Sequence, residues 1–167
     1  MRNVVLVGMP ACGKSTIGVL AAKALMMDFV DTDLLLQKQA GKPLQQMVDE
    51  LGTEGFSDVE EKCICGLQME HTVIATGGSV ALEENAMEHL RKNALVVFIH
   101  LSYESIEKRL RNIKTRGIAM EKGQTLRDLY NFRQPFYSDC ADVVLEADGL
   151  KIEETVSKLV DIVQTSC

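Results

Sequence analysis

The 167-residue sequence predicts an α/β fold, a parallel β-sheet with helices on both faces. Three observations carry that expectation. Short apolar runs alternate with longer segments of helical periodicity from one end of the chain to the other. Two of the runs, Val4-Val5-Leu6-Val7 and Leu95-Val96-Val97-Phe98-Ile99, are continuously apolar, as strands buried on both faces of a parallel sheet are. The first of them leads directly into a glycine-bounded turn, Gly8-Met9-Pro10-Ala11-Cys12-Gly13-Lys14-Ser15-Thr16, and then into a helical pattern.

That turn satisfies GxxxxGK[ST] in the required context of strand, turn and helix. Gly8 and Gly13 let the backbone curl so that successive N–H groups point inward, at the positive end of a helix, and cradle phosphate. Ala11, Cys12, Gly13 and Thr16 supply that cradle. Lys14 adds a point charge for the β- and γ-phosphates, and the Ser15 hydroxyl is placed to ligate Mg²⁺.

The first helix is expected over residues 15 to 26, with Ile17, Leu20, Ala21, Ala24 and Leu25 on one face. A short second strand, Asp28-Phe29-Val30-Asp31-Thr32-Asp33, delivers two carboxylates. If extended to its end, it turns Asp31 and Asp33 to the same side, into the crevice at the strands' carboxyl ends. The alternative is that one of them caps the helix at Leu34 to Lys38. Gly41-Lys42-Pro43 ends that helix, and Pro43 suits the start of the next, Leu44 to Leu51. After Gly52 a long helix is expected from about Thr53 to Glu70, with Phe56, Val59, Cys63 and Leu67 as a core stripe. His71 to Ala75 reads as a third strand, ending in the turn Thr76-Gly77-Gly78-Ser79, where backbone can approach a ligand closely. A helix near Glu84 to Lys92 follows, then the central strand to Leu101, then a helix capped by Ser102. Residues 111 to 123 form a basic, glycine-punctuated segment with Lys114, Arg116, Gly117, Lys122 and Gly123, the pattern of a lid over phosphates. Leu126 to Cys140 is a helix bent or interrupted at Pro135. Ala141 to Glu146 is a fifth strand, and Ile152 to Thr165 a closing amphipathic helix.

Composition narrows the function. At this length the chain is expected to be one domain, residues 1–167, with 46% hydrophobic and 25% charged residues. A net charge of -6 without clustered Lys and Arg argues against nucleic acid or an anionic membrane surface. No run is long enough to span a membrane and no signal peptide opens the chain, so a cytoplasmic monomer is expected. Five scattered cysteines argue against a disulfide framework, and Cys63 and Cys65 read as small core or half-buried residues.

Together these motifs resemble the shikimate kinase family of phosphate-loop proteins, over residues 3 to about 163. The resemblance rests on Gly8 to Gly18, Asp31-Thr32-Asp33, Phe56-Ser57-Asp58-Val59-Glu60, Thr76-Gly77-Gly78, Thr115-Arg116-Gly117, and Arg133-Gln134-Pro135-Phe136-Tyr137 followed by Ala141-Asp142. It implies a three-layer αβα fold whose five strands run in the order 2-3-1-4-5, ATP with Mg²⁺, and phosphoryl transfer to the 3-hydroxyl of shikimate. It further implies that Lys14 and Arg116 neutralise the transferring group and that Ser15 binds Mg²⁺ directly and Asp31 through water. Asp33 would orient or deprotonate the acceptor hydroxyl, Gly77 and Gly78 would approach the acceptor, Arg133 would grip its carboxylate, and Arg109 would lie near adenine.

Three positions depart from the family pattern. Ser57 replaces the arginine that completes the carboxylate clamp, Ser79 replaces a third glycine, and Arg116-Gly117-Ile118-Ala119 replaces Arg-Pro-Leu-Leu. One lost charge-assisted contact removes roughly 1.5–3 kcal/mol, about tenfold to a hundredfold in affinity. Glu60 is expected to lose its partner with that arginine, and Lys62 lies on another side of the helix. Three functions therefore remain open: a shikimate kinase, the same chemistry on another hydroxylated compound met by Ser57 and Ser79, and a catalytically poor nucleotide-binding regulatory module.

Overall fold

The computed structural model describes residues 2–111 and 118–166. Its five strands, β1 (Asn3–Val7), β2 (Asp28–Asp31), β3 (Thr72–Ala75), β4 (Ala94–His100) and β5 (Val143–Glu146), form one parallel sheet. Their order is β2-β3-β1-β4-β5, as the resemblance implies. Seven α-helices accompany them among the described residues: α1 (Lys14–Leu25), α2 (Thr32–Ala40), α3 (Leu44–Cys65), α4 (Glu84–Arg91), α5 (Tyr103–Arg111), α6 (Leu126–Cys140) and α7 (Ile152–Thr165).

The topology places the site. From β1 the chain crosses to one side, to β2, whereas from β3 it crosses past β1 to β4. Right-handed crossovers in opposite directions put their helices on opposite faces. So α1 packs with α7 on one face, while α3 packs on α4, and α4 and α6 on β4, on the other. The order reverses between β1 and β3, and ligands bind in the crevice at such a switch point. The turn after β1 and the turn after β3 face each other across it. β1 and β4 carry the core: Val5, Leu6, Val7, Val96, Val97 and Ile99 are fully buried, so the phosphate loop hangs from the most rigid part of the sheet.

Four local expectations change. β2 ends at Asp31, because the Asp31 carboxylate accepts from the Asp33 and Leu34 N–H groups at 2.9 and 3.2 Å and thereby starts α2 at Thr32. At Gly52 the expectation holds: the glycine (φ 70°, ψ 178°) is non-helical and kinks α3 between the two helical stretches read from the sequence. The long helix stops at Cys65, five residues early, with Gly66 at its C-cap. Cys65 is exposed, unlike the buried Cys12, Cys63 and Cys140, and α6 runs through Pro135 as one helix. No helix among the described residues is long and apolar enough to cross a membrane.

Candidate active site

The phosphate loop joins β1 to α1. At Gly8 (φ 149°) a Cβ would sit 2.8 Å from the Ile99 carbonyl oxygen of β4, so only glycine can pass this close to the neighbouring strand. Ala11 holds a left-handed φ of 67°, a strain of roughly 1–2 kcal/mol of the kind stored at ligand clamps. Lys14 is buried at the start of α1, and its Nζ donates to the Gly8 and Met9 carbonyls at 2.7 and 3.0 Å. One turn of chain thus carries both a ring of N–H groups and a fixed ammonium.

Ser15 Oγ donates to Asp31 Oδ2 at 2.5 Å. The cap of α2 is therefore also the partner of the hydroxyl that the loop presents. This pair fits Mg²⁺, which takes one or two protein oxygens and fills its octahedron with water and phosphate. No group of three or more His, Cys, Asp or Glu among the described residues is placed to hold a metal by itself. On the far side of the loop, Arg109 of α5 donates to the Ala11 carbonyl at 3.2 Å, and with Ala11, Cys12, Gly13 and Thr16 it lines a cavity that ends at α7.

Across the crevice a second cavity brings together Lys14, Ser15, Asp33, Glu60, Gly77, Gly78, Ser79 and Arg133. Asp33 reaches it from the first turn of α2, Glu60 from α3 and Arg133 from α6. Gly77 is the close approach that makes this possible. A Cβ there would lie 2.5 Å from Glu60 Oε2 and 2.7 Å from Asp33 Oδ1, so the two carboxyls converge on bare backbone. Gly77→Ala is accordingly expected to push both carboxyls aside and raise the acceptor KM at least tenfold, with ATP affinity unchanged; kinetics varying each substrate in turn check it. Gly78 is held from beneath: the buried Tyr137 hydroxyl donates to its carbonyl at 2.6 Å. Tyr137→Phe leaves that acceptor without a donor and is expected to cost about 1–3 kcal/mol, read as a lower urea midpoint.

The departures from the family pattern settle into a network of their own. Ser57 Oγ donates to Glu83 Oε1 at 2.6 Å, and it lines an adjoining cavity that shares Phe56, Ser79, Ala119 and Arg133 with the first. Ser79 Oγ donates to Glu60 Oε1, so Glu60 is not left without a partner. Lys62 is exposed and takes no part. Arg133 is buried, with Nη2 on the Ala119 carbonyl at 3.0 Å and no partner for Nε. Of the lid, Ile118 and Ala119 line the cavity, whereas Arg116 and Gly117 lie outside the described residues. Glu83, just beyond the 3₁₀ turn Val80–Leu82, was not legible as a site residue: no motif marks it, and only the fold sets it against α3.

The comparisons with known proteins agree with this architecture. A family model described as shikimate kinase matches residues 10–164. The chain belongs to the shikimate kinase family. It is 36% identical over 166 residues to the shikimate kinase of Caldicellulosiruptor saccharolyticus, covering 97% of this chain and 95% of that one. With the shikimate kinase of Pasteurella multocida it shares 33% identity over the same proportions. A shikimate kinase from Acinetobacter baumannii, solved in complex with shikimate, superposes with a TM-score of 0.91 at 25% identity, covering 99% of this chain and 94% of that one. Shikimate kinases are ATP-dependent phosphotransferases with an alcohol group as acceptor, and this chain is an enzyme of that class.

Proposed function

We propose that the protein transfers the γ-phosphoryl group of ATP to a hydroxyl of a small hydroxylated acid, and that shikimate, at its 3-hydroxyl, is its acceptor. The observation that carries this reading is the single cavity in which Lys14 and Asp33 meet, with Arg133 on its wall. Phosphoryl transfer needs little covalent chemistry from a protein; positioning and charge supply the rate. Lys14 holds and neutralises the phosphates, while Asp33 orients the acceptor hydroxyl and takes its proton. Gly77 and Gly78 let the acceptor ring lie against backbone, and Arg133 takes its carboxylate. Arg109 flanks the base of the nucleotide, and Arg116 is the residue that joins Lys14 in neutralising the transferring group. Ser15 directly, and Asp31 through water, would hold Mg²⁺, which would supply charge neutralisation for the phosphates.

A second reading, the same transfer to an uncharged polyol, is favoured by one observation. Ser57 offers a neutral hydroxyl already committed to Glu83, where the family pattern offers a cation. A coupled ADP-release assay with shikimate, quinate and neutral polyols separates the possibilities. Shikimate turnover at a millimolar or lower KM supports the proposal. Activity on neutral polyols alone sinks it, and ATP binding with no acceptor-stimulated ADP release points to a regulatory nucleotide-binding module.

A further inference from the structure

Glu60 lines the acceptor cavity, and a second buried carboxyl, Glu83, sits beside it without lining the cavity. Glu60 is 2% and Glu83 6% exposed, and they are in hydrogen-bonding contact with each other. No salt bridge reaches either among the described residues. Two carboxylates in contact cannot both stay ionised away from water, so one proton is retained between them. The hydrogen bonds show where it goes. Ser79 donates to Glu60 Oε1 and Ser57 to Glu83 Oε1, while Glu83 Oε2 is buried with no donor. A proton carried by Glu60 and directed at Glu83 fills that gap and completes a chain from Ser79 through both acids to Ser57.

Resting on the reading of the site as an ATP-dependent alcohol kinase, we infer that this proton-sharing pair determines acceptor specificity: it admits a hydroxyl against Glu60 and turns away an anion. Glu60 Oε2 sits beside Gly77, facing the same point as Asp33 Oδ1. In its protonated form Glu60 gives a hydroxyl a neutral partner next to the carboxylate that is to activate it. A carboxylate on the acceptor is left to Arg133, since Lys14, the other cation lining the cavity among the described residues, serves the phosphates. A proton here stands in for the positive charge that the family pattern places at residue 57.

The surroundings make the pair pH-sensitive. Burial raises both groups, Glu60 well above the usual carboxylate range and Glu83 to about 7. The charges around Glu60 are Glu83, Asp33 of α2 and, lining the same cavity, Arg133 of α6 and Lys14 of α1, with the Cys63 thiol beside it on α3. Around Glu83 they are Glu60, Glu61 and Asp58, all on α3, with Cys65 near. Apart from Arg133 and Lys14 these charges are acidic, so loss of the shared proton adds a second negative charge beside a wall that already holds Asp33. Both groups are raised on folding, so their contribution to stability is complete below the unfolded carboxylate value and is lost as pH rises through about 7.

The test measures binding and stability together, on the full chain with a non-hydrolysable ATP analogue. Between about pH 6 and about pH 8.5, the calorimetric Kd for shikimate should rise at least about fivefold, while that for an uncharged cyclitol stays within about twofold. The Tm should fall over the same interval. Glu83→Gln should flatten both the shikimate and the Tm profiles, and Ser57→Arg should tighten shikimate about tenfold and remove its pH slope. A flat wild-type Tm, a slope retained in Glu83→Gln, a pH-independent shikimate Kd, or failure of both compounds to bind overturns the inference. Binding with the expected slopes but without turnover when ATP replaces the analogue supports the pair and counts against phosphotransfer instead.

Discussion

Asp33→Asn is expected to lower kcat by about two to four orders of magnitude while the Kd for ATP changes less than about threefold, the range for loss of a positioned general base. Asn keeps the size of the side chain and one oxygen for the acceptor hydroxyl, but it cannot take the proton as the O–P bond forms. Asp33 lies in the first turn of α2, where the helix dipole favours a negative side chain. It is also one of the two carboxyls converging on Gly77, so an acceptor resting on that turn meets it directly. The substitution leaves the cap of α2 in place, because that cap is the Asp31 carboxylate, which accepts from the main-chain N–H groups of residues 33 and 34 rather than from the Asp33 side chain. Steady-state kinetics with saturating ATP, alongside a nucleotide titration, check the split. A raised acceptor KM with kcat intact would make Asp33 a binding residue, and an unchanged kcat would remove it from the mechanism.

The nucleotide half of this site was legible in the sequence because its geometry is local. From Gly8 to Thr16 the strand, turn and helix follow one another without interruption, and the pattern needs no partner from elsewhere in the chain. The alternation of strands and helices likewise announced the sheet, since β1 and β4 are apolar apart from Asn3 and His100 at their ends. Asp31 and Asp33 were harder. Period-two reasoning set them on one face of a strand, but a carboxylate followed by helix formers caps, and the strand ended one carboxylate sooner. The residues of the acceptor wall were named from the sequence, but their pairing was not legible, for a physical reason. Ser57 and Glu83 are 26 residues apart and Ser79 and Glu60 are 19 apart, and their pairing depends on how α3 docks beside the turn after β3. Read along the chain, Glu60 appeared stranded by the loss of an arginine. Packed, it shares hydrogen bonds with a hydroxyl and a second acid that no spacing rule connects to it.

Lys14→Met is expected to lower kcat/KM for ATP by about three orders of magnitude. A unit charge about 4 Å from a phosphate oxygen is worth about 4 kcal/mol at the effective dielectric near a protein surface, and each 1.36 kcal/mol is about tenfold. The charge is well aimed, because Nζ is fixed by the Gly8 and Met9 carbonyls rather than left on a mobile stem, so little reorganisation is needed when phosphate arrives. Methionine fills the buried slot but leaves those two carbonyls without a donor. A lowered urea midpoint, worth about 1–3 kcal/mol, should therefore accompany the kinetic loss, offset in part because a buried charge is removed. Lys14→Arg separates charge from geometry. It keeps the cation, but the planar fork of guanidinium cannot reproduce a compact ammonium between two carbonyls of one turn. If position matters as argued, Lys14→Arg recovers less than about a tenth of the lost activity. Near-complete recovery would mean that any positive charge suffices there, and that the curl of the loop around Nζ serves folding rather than transfer.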